Sequence, residues 1–81
     1  MGAADQPHVD EISPLAWRLL RVAAGYDQRA VEREIDDLLQ AHLSMLESGT
    51  RSLSRERRRS LLDLYGGELT DEQVVAIVRH F

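Results

Sequence analysis

Ser13-Pro14-Leu15-Ala16-Trp17-Arg18-Leu19-Leu20-Arg21-Val22-Ala23-Ala24-Gly25 describes a helix together with both of its ends. Ser13 is suited to accept from the first unpaired backbone N–H groups. Pro14 brings a helical φ to the first position, where its missing N–H is no loss. Leu15, Leu19, Val22 and Ala23 recur at helical spacing, and Ala16 and Leu20 widen them into an apolar stripe. Gly25 tolerates the left-handed conformation that ends a helix. The stretch predicts a helix over 14–24 and points the whole chain towards an all-helical reading.

Downstream, the same signals recur. Asp27 is placed to cap a second helix over 28–35, with Ala30, Val31 and Ile35 as its apolar positions. Asp37-Leu38-Leu39-Gln40 resembles a capping box and predicts a third helix over 38–48. Leu38, Leu39, Leu43 and Leu46 are expected to face inward there, with Gly49 as the stop. So few residues separate the second and third helices that the chain must turn sharply. Ser54 starts a fourth helix over 55–65 carrying Leu61, Leu62, Leu64 and Tyr65, and Gly66-Gly67 breaks it. Thr70-Asp71-Glu72-Gln73 is a full capping box opening a fifth helix over 71–81, with Val74, Val75, Ile77, Val78 and Phe81. No segment alternates in period two, so no strand is expected. Residues 1–12 lack periodicity and read as a flexible tail, which leaves 13–81 as a single all-α domain of five helices.

Composition narrows the function. At 81 residues, the chain is near the small end of what folds unaided. It has no cysteine, and His8, His42 and His80 are far apart, so no disulfide, metal or cofactor is expected. No apolar run reaches membrane-spanning length, and Met1–Glu11 is polar and acidic, unlike a signal peptide. The expectation is a soluble cytoplasmic protein. All ten basic residues are arginine, and lysine and asparagine are absent, as a high-GC or halophilic source would produce. Glycine-rich phosphate loops, nucleophile–base pairs and metal-ligand spacings are missing, so an enzyme is not expected. The acidic pairs Asp36-Asp37 and Asp71-Glu72 stand at expected helix starts, where the helix dipole accounts for them.

Two segments carry a family resemblance. Leu20-Arg21-Val22-Ala23-Ala24-Gly25-Tyr26-Asp27-Gln28, followed by Leu43-Ser44-Met45-Leu46-Glu47-Ser48-Gly49-Thr50-Arg51, resembles the Cro/repressor (xenobiotic-response-element, lambda-repressor-like) helix-turn-helix family. The likeness runs from about Leu15 to Tyr65. It implies a compact five-helix domain whose third helix enters the DNA major groove while the second braces it. Three departures stand out: Glu32 where the family has a small residue, Asp36-Asp37 in place of the turn glycine, and one extra residue in that turn.

The resemblance also assigns roles. Gln40, Ala41, His42, Ser44 and Met45 would face the bases, with Gln40 suited to adenine and Ala41 or Met45 to a thymine methyl. Gln28, Arg29, Arg51, Arg55, Arg58 and Arg59 would meet phosphates, and Arg21 and Glu47 would form an internal ion pair. Blander readings compete: Gln40 closing the capping box, His42 as a surface residue, Met45 as partial core. Of the basic run after the third helix, Arg55, Arg58 and Arg59 share one helical face and Arg57 lies nearly opposite.

A net charge of −4 speaks against a nucleic-acid partner. Yet Ser48–Ser60 carries five arginines against Glu56 alone, a local +4, which leaves −8 for the rest. The expected function is a sequence-specific DNA-binding regulator, a repressor, acting on double-stranded DNA as a homodimer through the apolar fifth helix at 73–81. The alternative is an antitoxin-like or adaptor module that uses the same body to bind a protein partner.

Overall fold

Side-chain caps begin four of the five helices in this computed structural model, which describes residues 7–81. Ser13 Oγ accepts from Ala16 N at 3.0 Å to start α1 (Pro14–Ala24), and Asp27 Oδ1 from Ala30 N at 2.7 Å to start α2 (Gln28–Glu34). Ser54 Oγ takes Arg57 N at 3.2 Å for α4 (Arg55–Gly66). At α5 (Asp71–His80) the box is reciprocal: Thr70 Oγ1 accepts from Gln73 N at 3.1 Å, and Gln73 Oε1 from Thr70 N at 2.8 Å. Each cap satisfies N–H groups that a helix start leaves without partners. Among the described residues there is no strand, and no helix is long and apolar enough to cross a membrane.

The exception is α3 (Gln40–Ser48). Its cap position holds Leu39, which has no acceptor, so the helix starts two residues later than the sequence suggests. Asp37 does not cap; it takes a left-handed φ of 62°, the conformation a turn glycine would supply. The box expected between Asp37 and Gln40 therefore does not form. At the other end, Gly49 has φ 78°, and an added Cβ there would stand 3.3 Å from Pro14 Cγ. Glycine thus both turns the chain and lets α3 end against the start of α1.

α1 lies at the centre, packed against α3, α4 and α5, while α2 leans on α3. Trp17, Leu20 and Ala16 are buried, with Trp17 edge-on to Tyr65 at 6.4 Å between ring centroids. The buried stripe of α1 is therefore rotated from the one read in the sequence. Leu15, Val22 and Ala23 face solvent, and Val22 is 56% exposed. Leu39 is 55% exposed while its neighbour Leu38 is buried, and Phe81 ends exposed beyond the buried Val74 and Val78. The radius of gyration is 11.6 Å, as expected when about 80 residues form one compact domain.

The expected tail over 1–12 needs correcting at its end. Val9–Glu11 form a short 3-10 turn on α4, and Val9 and Ile12 are part of the core. Two apolar residues spaced by three can bury together from one such turn. Residues 1–6 lie outside those described.

Candidate functional site

α3 buries Leu43 and Leu46 and turns Gln40, Ala41, Ser44 and Ser48 to solvent. These four fall at i, i+1, i+4 and i+8, one face of a helix, and none is larger than glutamine. The result is a narrow ridge of short polar and small side chains. His42 and Met45 are half-buried on its flank.

The ridge is braced from beneath. Arg21 and Glu47 meet in two parallel bonds, Nε–Oε2 at 2.8 Å and Nη2–Oε1 at 3.0 Å. Arg21 also donates to Tyr26 O at 2.9 Å. Their side chains are only 12% and 5% exposed. Hydrogen bonding to Glu47 raises the Arg21 pKa above its ordinary value, so this guanidinium is a permanent charge. From Glu47 the chain of bonds continues outward: Gln28 Nε2 donates to Glu47 Oε1 at 3.3 Å, and Gln40 Nε2 donates to Gln28 Oε1 at 3.4 Å. Arg21, Glu47, Gln28 and Gln40, dispersed in sequence, thus form one polar chain from core to surface. Such linkage restricts the rotamers of the outermost member.

Each flank of the ridge carries arginine. On one side a groove is lined by Arg18, Arg21, Gln28, Ser44, Glu47 and Ser48. On the other, a groove of about 480 Å³ runs between α3 and the start of α4, lined by His42, Met45, Arg51, Leu53, Arg57 and two serines. Arg18, Arg51 and Arg57 form no ion pair among the described residues.

The fourth-helix arginines are divided differently from the expectation. Arg55 and Arg58 hold Asp10: Arg55 Nη2 pairs with Oδ2, and Arg58 Nη1 donates to Oδ1 at 2.9 Å. Arg58, 17% exposed, also donates to Leu53 O at 3.1 Å and to Val9 O at 3.4 Å. These two arginines pin the N-terminal segment to α4, Arg58 largely covered and Arg55 still open to solvent. The hydrogen bonds from Arg55 and Arg58 hold the Asp10 carboxyl below its ordinary range. Arg57, placed opposite by the wheel alone, lines the groove together with His42 and Met45 of α3. Arg29 and Arg59 are exposed and join neither groove.

Arg18, Arg57, Glu32 and Asp10 were missed by sequence reasoning. Asp10 had no local signal, because its partners Arg55 and Arg58 lie 45 and 48 residues away. Glu32 had a signal, its departure from the small residue of the family the sequence resembles.

A family model described as "Domain of unknown function (DUF8599)" matches residues 6–58. That span holds α1, α2, α3, the ridge, and Asp10 with both of its arginines. No curated protein and no solved structure matches the chain.

Proposed function

We propose a function for this chain, which belongs to the DUF8599 family: it is a sequence-specific DNA-binding regulator that reads the major groove with α3. The observation that carries the reading is the exposed ridge of Gln40, Ala41, Ser44 and Ser48 between two arginine-bearing grooves. A major groove admits one helix, and the phosphates run along both sides of it. A ridge of short side chains with cations on each flank suits that shape. Gln40, steadied through Gln28, is the residue placed to pair with adenine, and Arg18, Arg51 and Arg57 are placed for phosphates. The helix-turn-helix arrangement is the finer description of the five-helix fold that this reading adopts. It extends to a symmetric homodimer on paired half-sites, with α5 and its exposed Phe81 at the contact.

A second reading has its own observation. Glu32, Glu34, Asp36 and Asp37 gather around the α2–α3 turn, beside the N-terminal end of α3. An acidic tip suits a basic protein partner better than a polyanion.

A salt titration separates the two. Binding of wild type, Arg57→Ala and Gln40→Ala is followed on the duplex flanking the protein's own gene and on a random duplex. Arg57→Ala should weaken both equally and lower the salt slope by about one. Gln40→Ala should lose about 1–3 kcal/mol on the preferred duplex alone. Wild-type binding that is absent from both duplexes would put the protein-partner reading ahead.

A further inference from the structure

α3 has no side-chain acceptor at its cap position; His42 Nδ1 accepts from Leu39 N at 3.3 Å, and the acceptor for Gln40 N comes from a different helix. Glu32 Oε2 accepts from Gln40 N at 2.7 Å, where Leu39 offers nothing. Gln28 and Glu32 are one turn apart on α2, and both reach Gln40, one at its side-chain amide and the other at its backbone. Glu32 is exposed and joins no ion pair among the described residues. Its second oxygen accepts no hydrogen bond from those residues. An acceptor-only group, held by one oxygen and open at the other, therefore stands beside the first residue of the reading ridge.

We propose that Glu32 is a specificity-determining residue: its open oxygen accepts from the N4 amino group of a cytosine at the base pair next to the one read by Gln40. The inference rests on the DNA-binding reading above. In the major groove guanine and thymine present acceptors, which a carboxylate repels, and the amino group of adenine is flanked by its N7 acceptor. Cytosine alone offers a donor with no acceptor on its own major-groove edge. A carboxylate at a DNA face weakens binding to every duplex through the phosphates. A site that keeps one there gains discrimination in exchange for affinity.

Glu32→Gln is the informative variant because glutamine retains an acceptor for Gln40 N and turns its NH2 outward. It should exchange a preference for cytosine for one for a base with an acceptor edge. Glu32→Ala should show no preference at that position. The experiment is selection from a randomised duplex library by the full chain in four forms: wild type, Glu32→Gln, Glu32→Ala and Gln40→Ala. Circular dichroism checks that each is folded, and the Gln40→Ala result locates the adjacent base pair. The expected result is an enrichment of cytosine by about tenfold in wild type, lost in Glu32→Ala and reversed in Glu32→Gln, with the other positions unchanged. If Glu32→Gln keeps the cytosine preference, or wild type has none beside the Gln40 position, Glu32 is only a cap and the inference falls while the DNA reading stands. If wild type enriches no sequence over the input, the DNA reading itself fails.

Discussion

Two arginine–carboxylate clamps hold this domain together, and they differ in nearly everything except chemistry. Arg21–Glu47 joins α1 to α3 beneath the ridge, with side chains 12% and 5% exposed and Gln28 bonded to the carboxylate. Asp10 joins the N-terminal segment to α4 through Arg55 and Arg58, and half of its own side chain is in solvent. Charge attraction near a protein surface is several times weaker than in a drier site, and salt screens it further. The inner clamp fixes the pose of α3, whereas the outer one keeps a short segment in place. The same pair of residue types thus does two jobs, and burial decides which.

The largest expected effect breaks the inner clamp. Glu47→Ala leaves the half-buried Arg21 guanidinium with only Tyr26 O as acceptor, and losing one member of a partly buried pair costs less than the about 3–5 kcal/mol of a fully buried one. Thermal unfolding should show a clearly lowered melting temperature, by about 4–8 degrees for each kcal/mol lost. The double variant Arg21→Met, Glu47→Leu sharpens the comparison. If the destabilisation comes from an orphaned charge, the double variant should recover most of what the single one loses. A double variant as unstable as the single one would mean that the pair itself, through its bonds to Tyr26 and Gln28, holds the helices together.

How far these features were legible follows from how local they are. The caps at Ser13, Asp27, Ser54 and Thr70 act over three residues, so residue type alone placed the starts of α1, α2, α4 and α5. The start of α3 was displaced because its cap, Glu32, is eight residues away across a turn. The stripe of α1 was misjudged because a helix touched on several sides buries a broad sector, and the leucines and valines alone do not locate its centre. Trp17 belongs to that sector, and Leu15 and Val22 do not. Arg21–Glu47 was reached through family resemblance, since no local rule links residues 26 apart. Asp10 had no such guide, and its pairing with Arg55 and Arg58 became visible only once the 3-10 turn was laid on α4.

A middle-sized effect concerns the group wedged against the inner clamp. Tyr65 is fully buried, and no group of the described residues pairs with its hydroxyl. Burial, then the Glu47 charge, push its pKa well above the ordinary phenol value. An unpaired buried hydroxyl costs about 1–3 kcal/mol. Tyr65→Phe should therefore raise the melting temperature by several degrees at neutral pH. The phenol also carries a pH signature. Its folded pKa is raised, so the native state favours the neutral form; stability is intact below the unfolded value of about 10 and falls as pH rises beyond it. Wild type should lose stability above that pH more steeply than Tyr65→Phe, as measured by melts at neutral and alkaline pH. A lower melting temperature for the phenylalanine variant at neutral pH would refute the view that this hydroxyl is a burden.

The smallest effect belongs to the outer clamp, and its sign with pH is opposite to that of Tyr65. Arg55 and Arg58 hold the Asp10 carboxyl below its ordinary range, so the folded state favours the ionised form. That contribution is present at pH values above the unfolded carboxylate value of about 3.9 and is lost as pH falls through the depressed folded value. Asp10→Asn should accordingly melt slightly below wild type at neutral pH, and the two should converge under acidic conditions. Added salt at neutral pH should also narrow the gap, because this clamp is open to solvent, and should leave the Glu47→Ala deficit nearly unchanged. Melts of wild type and both variants at neutral and acid pH, each at low and high salt, read the comparison directly. If Asp10→Asn proved as damaging and as insensitive to salt as Glu47→Ala, burial would not be what separates the two clamps. The docking of Val9 and Ile12 into the core, which Asp10 secures, would then be the more important quantity.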